Sequence, residues 1–238
     1  MDRVHYKVRG EGRILSRAAY VVLGVTTEGY KEILSITVGA NETSKFWLGR
    51  QGDLKNRGLK DVLFFCVDGL AGFKEAISAV YPQSQIQRCV IHMPRNSFKY
   101  VNYSDLKKFS NDFKAVYNAP NKMAAYSELE ILKEKWGRKY PYAIRNWENN
   151  WEDVSSFFQF SEEIRKIMYT TNILEGLNRQ YRKVTKTKSV FPSDQSLEKM
   201  LYLASENITK KWTQRYRGWD QVLNQLIVLY GERLSQYL

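Results

Sequence analysis

The sequence predicts an α/β protein: a mixed five-stranded sheet in the order 3-2-1-4-5, with flanking helices and an all-helical insertion. Three observations predict it. Alternating and continuous apolar runs of strand length fill residues 3–91. Residues from about 102 to 166 carry helical periodicity, broken at Pro120 and Pro141, with no convincing strand. Three further amphipathic helices follow from about residue 172. With 43% hydrophobic and 14% aromatic residues in 238 positions, the chain has ample material for a packed core.

At residues 3–9, Val4, Tyr6 and Val8 alternate with His5, Lys7 and Arg9, the pattern of a half-buried strand whose apolar side Asp2 shares. After Gly10 and Gly12 come a β-rich run from Ala18 to Val25, a turn at Glu28 and Gly29, and a run from Glu32 to Val38, together a three-stranded meander. Asn41 to Thr43 can cap a helix carrying Phe46, Trp47 and Leu54, and Gly58 is placed to end it. Residues 61–68, DVLFFCVD, form a nearly continuous apolar run, as in a strand covered on both faces. A helix follows from about Leu70 to Tyr81, then a fifth strand over 85–91 and a basic helical start at His92, Arg95 and Lys99. The last helices are expected over Asn172 to Lys186, Asp194 to Lys211 and Gln221 to Tyr237. One arrangement that satisfies this order is the ribonuclease-H-like layer, with the first and fourth strands adjacent and parallel. Its first part would be residues 1–101, the helical insertion 102–166, and its completion with the C-terminal helices 167–238.

Lys and Arg number 37 against 25 Asp and Glu, a net charge of +12, and the sequence pI is about 9.5. Such an excess draws in phosphate backbones, so nucleic acid is the expected partner. The longest apolar runs, Leu63 to Val67 and Ala18 to Leu23, fall far short of the roughly 20 residues of a membrane helix. The first residues hold no apolar signal region, and two cysteines, Cys66 and Cys89, fit a reduced cytosol.

In the expected sheet Asp2 and Asp68 are candidates for neighbouring carboxylates. Asp68 ends the fourth strand where Gly69 opens a turn, and ligands of open α/β sheets bind outside the carboxyl ends of strands. Paired carboxylates repel, which a divalent cation relieves. Asp68 also fits an ordinary Asp-Gly turn. Asp61, at the opposite end of the strand, is poorly placed.

The most informative stretch is TTNILEGLNRQYRKVTKTK at residues 170–188. At helical spacing Leu174, Leu177, Tyr181 and Val184 make an apolar stripe, while Glu175, Asn178, Arg179, Arg182 and Lys186 line a polar face. Arg179, Arg182, Lys183, Lys186 and Lys188 occur with no acid among them. A metal-holding carboxylate beside phosphate-holding cations is the layout of a phosphodiester-cleaving helix. Two plainer accounts compete: Asn172 and Glu175 as a capping pair, and the cations as a solvated face. Gly176 costs about 1 kcal/mol relative to Ala within a helix and leaves room beside Glu175 for a substrate backbone.

Cys89-x-x-His92 has the look of a zinc half-site, but Cys66, Cys89, His5 and His92 fit no finger or ribbon. His92 fits equally a phosphate contact and a packed helix-start residue. Trp136, Trp147 and Trp151 are read as core of the insertion in preference to base-stacking surfaces.

Residues 2–9, DLKNRGLKD at 53–61, CVDGL at 66–70, CVIHMPRN at 89–96, YTTNILEGLNR at 169–179, NITKKWT at 207–213 and LNQL at 223–226 together resemble the Mutator-type transposases of bacterial insertion sequences. The resemblance covers nearly the whole chain. It implies a ribonuclease-H-like catalytic domain with an Asp-Asp-Glu triad, Asp2, Asp68 and Glu175 by motif, and a Cys89-x-x-His92 element close to the active site. Family members carry a long amino-terminal region with a helix-turn-helix for binding element ends. This chain starts at the first catalytic strand, which reads as an N-terminal truncation.

The expected activity is metal-dependent DNA cleavage and strand transfer at the ends of an insertion sequence. Two Mg²⁺ ions, with Mn²⁺ as substitute, would lie about 3.5 to 4 Å apart between the three carboxylates. His92, Arg95, Lys99, Asn172, Asn178, Arg179, Arg182, Lys183 and Lys186 would contact DNA. The expected partners are double-stranded DNA, both element ends and target, and a second copy of the chain, in the bacterial cytoplasm at the nucleoid. The alternatives are a non-catalytic basic DNA-binding remnant and a ribonuclease-H-like nuclease without strand transfer.

Overall fold

The computed structural model describes residues 2–39, 43–67, 72–90, 92–168 and 171–238, and at Asp2, Arg3, Met93, Thr171 and Asn172 the backbone alone. In chain order the elements are β1 (Asp2–Gly10), β2 (Arg13–Val25), β3 (Lys31–Gly39), α1 (Ser44–Asn56), β4 (Phe64–Val67), α2 (Phe73–Val80), β5 (Gln85–Arg88), α3 (His92–Phe98), α4 (Tyr103–Asn118), α5 (Lys122–Trp136), α6 (Pro141–Glu148), α7 (Trp151–Ser155), a 3₁₀ turn (Ser156–Gln159), α8 (Glu162–Met168), α9 (Thr171–Thr185), α10 (Asp194–Thr209), α11 (Trp219–Tyr230) and α12 (Glu232–Ser235). The fold is α/β. It divides into two compact units, one of Met1–Phe65, Leu70–Gln85 and Thr170–Leu238, the other of Cys66–Gly69 and Ile86–Tyr169.

In the first unit β1, β2 and β3 form an antiparallel meander. Strand β2 begins at Arg13, five residues before its apolar run. The loop from β1 is only Glu11 and Gly12, both at positive φ (53° and 73°), the backbone that a two-residue hairpin of matched twist requires. The β2–β3 turn is held from outside. Gly29, at φ 90°, has the Trp219 ring 2.4 Å from where a Cβ would stand, Trp219 Nε1 donates to the Thr27 carbonyl (2.8 Å), and Tyr216 N–H donates to the Gly29 carbonyl (2.9 Å).

One sheet face is covered by α9 and α10: Val8, Ala19 and Val21 share a buried cluster with Leu174, Leu177, Tyr181, Leu197 and Leu201. Elsewhere in the unit Trp47 of α1 is fully buried between Tyr20 (4.9 Å) and Phe73 (4.7 Å). Thr43 caps α1 through the Phe46 N–H, and Gly58, at φ 100°, follows its end, as expected. The expected C-terminal helix is two, α11 and α12, because the chain turns at Gly231 with φ 49°.

The single five-stranded sheet expected from the sequence is not what the described residues form. Strands β1–β3 make one ladder and β4–β5 another. On β1 the edge away from β2 is partly taken: Phe191 donates to the Lys7 carbonyl and accepts from the Arg9 N–H, both at 2.8 Å. Beyond β3, Val38 N–H donates to Glu198 Oε1 of α10 (2.9 Å). Strand β4 is also shorter than the apolar run 61–68 suggests, and Phe64 to Cys66 are only half-buried. Asp61 is drawn out of strand pairing by Arg233, which donates to its carboxylate at 2.8 and 2.6 Å and to the Val62 carbonyl at 2.9 Å. Gln85 N–H donates to the Leu63 carbonyl and Cys89 N–H to that of Val67, a constant offset that makes β4 and β5 parallel.

The second unit is helical from α3 through α8, with an aromatic core. Phe109, Phe113 and Trp147 are fully buried, Phe113 meets Trp147 edge to face at 4.7 Å, and Trp136 packs on Phe109 at 5.6 Å. Trp151 is buried against Tyr126, so all three tryptophans read as core are core. Buried Arg165 donates to the Ala119 carbonyl (2.9 Å) and lies over the Phe157 and Phe158 rings.

Candidate functional site

Helix α9 carries the candidate site. Its buried arc is Leu174, Leu177, Asn178, Tyr181 and Thr185, which successive 100° steps place within one third of the helix circumference. This corrects the expected stripe in two places. Val184 lies off the arc and is 38% exposed, and Thr185 takes its place inside, donating to the Tyr181 carbonyl (2.8 Å). Asn178, assigned to the polar face, is only 4% exposed. It borders the core because it stands one turn from Leu174. A second correction concerns the cap. The helix already includes Thr171, so Asn172 lies inside it and is not the N-cap of a pair with Glu175.

Glu175 stands in the second turn, half-buried, with Oε1 shielded from solvent. Arg179, Arg182 and Lys186 follow it at i+4, i+7 and i+11, and all three are exposed, as are Lys183 and Lys188. Gly176 points away from the core, and a Cβ there would meet open space. The result is one sheltered carboxylate at the head of a solvent-facing row of cations.

Strand β1 lies under this helix. Asp2 opens the strand, its backbone in register with Val21 of the shared core. Four residues on, the Tyr6 hydroxyl is secluded and faces Thr185 and Arg182, and burial raises its pKa. Tyr6 was not singled out from sequence. Its only signal there was sharing strand parity with Asp2, Val4 and Val8.

Of the remaining expected residues, Asp68 lies outside the described residues. His92 begins α3, half-buried with Nδ1 shielded from solvent, and Arg95 and Lys99 are exposed. Burial pushes the Cys66 thiol up to about 12, so it stays protonated at neutral pH. Among the described residues no group of three His, Cys, Asp or Glu gathers as metal ligands do, and no helix is long and apolar enough to cross a membrane.

Fold and site thus define a basic α/β protein organised around a carboxylate-headed, cation-lined helix. The model of the transposase family named Mutator matches residues 1–215. The transposase for insertion sequence element ISRM3 of Rhizobium meliloti (strain 1021) is 41% identical over 98% of this chain and 58% of its own length. A probable transposase for an insertion sequence element of Corynebacterium diphtheriae is 34% identical over 100% of the chain and 75% of its own length, and the transposase for element IS905 of Lactococcus lactis is 32% identical over 97% and 59%. This chain belongs to the Mutator family of transposases. It spans just over half the length of the ISRM3 relative.

Proposed function

We propose that this chain is the catalytic region of a transposase of the Asp-Asp-Glu type, which cuts DNA at insertion-sequence ends and joins the freed strand to target DNA. The observation that carries the reading is α9: a carboxylate oxygen withdrawn from solvent at Glu175, followed in helical register by exposed Arg179, Arg182 and Lys186. A carboxylate is a hard oxygen donor of the kind a divalent cation takes, and the exposed cations that follow it face outward, where a polyanion would lie.

Asp2, Asp68 and Glu175 would together hold Mg²⁺ or Mn²⁺. Three carboxylates are hard oxygen donors, the type these ions take. Such ions supply Lewis-acid polarisation of the scissile phosphate and a lowered pKa for the attacking oxygen. The chain's own part is positioning. Arg179, Arg182, Lys183 and Lys186 hold phosphate oxygens so that the backbone lies along α9, and open space at Gly176 lets it approach Glu175. In cleavage, water attacks the phosphorus and the bond to the 3′ oxygen breaks, leaving a 3′-hydroxyl. In joining, that hydroxyl attacks a target phosphate and displaces a target 3′ oxygen. Two ends must meet, so the working form is a homodimer or larger assembly on DNA, at the bacterial nucleoid.

The test is Mg²⁺-dependent nicking and 3′-end joining of labelled element-end DNA by the protein extended to the length of its relatives. Asp68→Asn and Glu175→Gln are each expected to lower both steps by at least about 10³-fold while leaving DNA affinity within about twofold. Wild-type nicking in Asp68→Asn would refute the triad, and nicking without joining would leave a nuclease.

A further inference from the structure

A second basic surface lies in the helical unit, and it differs in kind from α9. Tyr100 and Tyr142 pack ring to ring at 6.0 Å, yet are 56% and 65% exposed. Tyr103, at the first turn of α4, is 93% exposed. The local fold accounts for this display. Helix α6 buries Ala143, Ile144 and Trp147, which leaves Tyr142 and Arg145, three residues apart, on its outer face. Tyr100 sits in the tight turn between α3 and α4, its N–H donating to the Ser97 carbonyl (3.0 Å), and Asn146 ties α6 to α3 through Ser97 Oγ (3.4 Å).

The exposed charges that flank the rings along the chain are mostly positive. Arg145 lies over the Tyr142 ring at 5.7 Å, and Arg95, Lys99, Lys107, Lys108 and Arg138 are exposed. Residues 92–108 hold four Lys or Arg and one acid, and residues 138–148 hold three and one. Both acids are already paired, Asp105 with Lys139 (2.5 Å) and Glu148 with Lys133 (2.6 Å). Exposed aromatic rings framed by cations suit one occupant, a nucleic-acid strand with unpaired bases: the rings stack on base faces while the cations hold the phosphates. A duplex keeps its base faces stacked inside and offers this surface phosphates alone.

We infer that the Tyr100–Tyr142 surface, with Arg145 and Lys99, is a binding site for single-stranded DNA. It takes the identity of the polymer from the DNA-processing reading but requires neither carboxylate nor metal. The experiment is fluorescence anisotropy of the protein with a labelled mixed-sequence 20-nucleotide strand and with its duplex, in EDTA at fixed salt. Tyr142→Ala and Tyr100→Ala are each expected to weaken single-strand binding about 5- to 50-fold, with duplex binding within twofold and Tyr142→Phe retaining wild-type affinity. Both tyrosines are exposed, so thermal melts of the variants should match the parent. Asp68→Asn is expected to bind the single strand normally, so failure of the triad and failure of this surface are separate results. Single-strand affinity unchanged in both alanine variants, equal losses on strand and duplex, or tighter competition by single-stranded RNA than by DNA would each overturn the inference.

Discussion

Two cationic surfaces, one in each unit, differ in what stands between the charges. On α9 the cations Arg179, Arg182 and Lys183, with Lys186 just past its end, follow the single acid Glu175, and no exposed aromatic ring lies among them. On the surface of α3 and α6 the cations frame exposed tyrosine rings. Charge without rings holds a phosphate backbone whether its bases are paired or not. Charge with rings favours bases that are free. On the two proposed readings, the net charge of +12 would serve two different modes of recognition.

The largest effect expected to sharpen this contrast is on α9. Arg179→Ala combined with Arg182→Ala should weaken duplex and single-strand binding alike by about 10- to 30-fold at moderate salt, and should reduce the slope of log affinity against log salt by about two. Tyrosine variants of the other surface should leave that slope unchanged. Anisotropy titrations between about 50 and 200 mM salt measure both quantities. A loss confined to single strands in the α9 variant would erase the distinction between the surfaces.

A change that weakens folding while touching neither surface provides the control. The Asp61 carboxylate is held below its usual range chiefly by the hydrogen bonds from Arg233, with a further contribution from the Val62 N–H, and both side chains of the pair are mostly shielded (18% and 17% exposed). Asp61→Asn should lower stability at pH 7 by roughly 1 to 2 kcal/mol, since it leaves the Arg233 guanidinium without its anion. A depressed folded-state pKa contributes stability that is present above the unfolded value and lost as pH falls through the folded one. The gap between wild type and Asp61→Asn should therefore be full above the ordinary carboxylate pKa of about 3.9 and shrink as pH falls through the lower folded-state value. Urea melts taken from pH 7 downward measure it, and DNA affinity at pH 7 should not move.

Elements with local causes were readable from the sequence. The meander showed in the alternation of residues 3–9 and the β-rich runs after it, α1 in its Thr43 cap and Gly58 stop, and Trp147 and Trp151 of the insertion in their helical spacing. What depended on distant partners was not. Nothing in residues 61–68 announces Arg233, which holds Asp61 out of β4, and nothing in residues 5–9 announces the Phe191 bridge that takes part of the β1 edge. On α9 the cations were placed correctly because charged side chains face water on any amphipathic helix. The boundary of the buried arc was not, since which of Asn178, Val184 and Thr185 goes inside is decided by how the helix rolls against β1 and α10. Tyr100 and Tyr142 escaped notice for the opposite reason: aromatic residues in a helical insertion are usually core, and their exposure follows from the facing of a short helix.

The smallest expected effect bears most directly on how α9 is used. Gly176 has open space where a Cβ would stand and lies in a helix interior, where Ala is favoured over Gly by up to about 1 kcal/mol. Folding alone therefore predicts that Gly176→Ala raises stability slightly. If the DNA backbone passes beside Glu175, the added methyl intrudes on it. The variant should then melt about 1 to 2 °C higher for about 0.5 kcal/mol, with a severalfold loss in nicking rate and little change in duplex affinity, because the phosphates remain held by Arg179 and Arg182. A stabilised variant with undiminished nicking would show that the backbone does not run over this turn, and would shift the substrate path toward the Lys186 end of the helix.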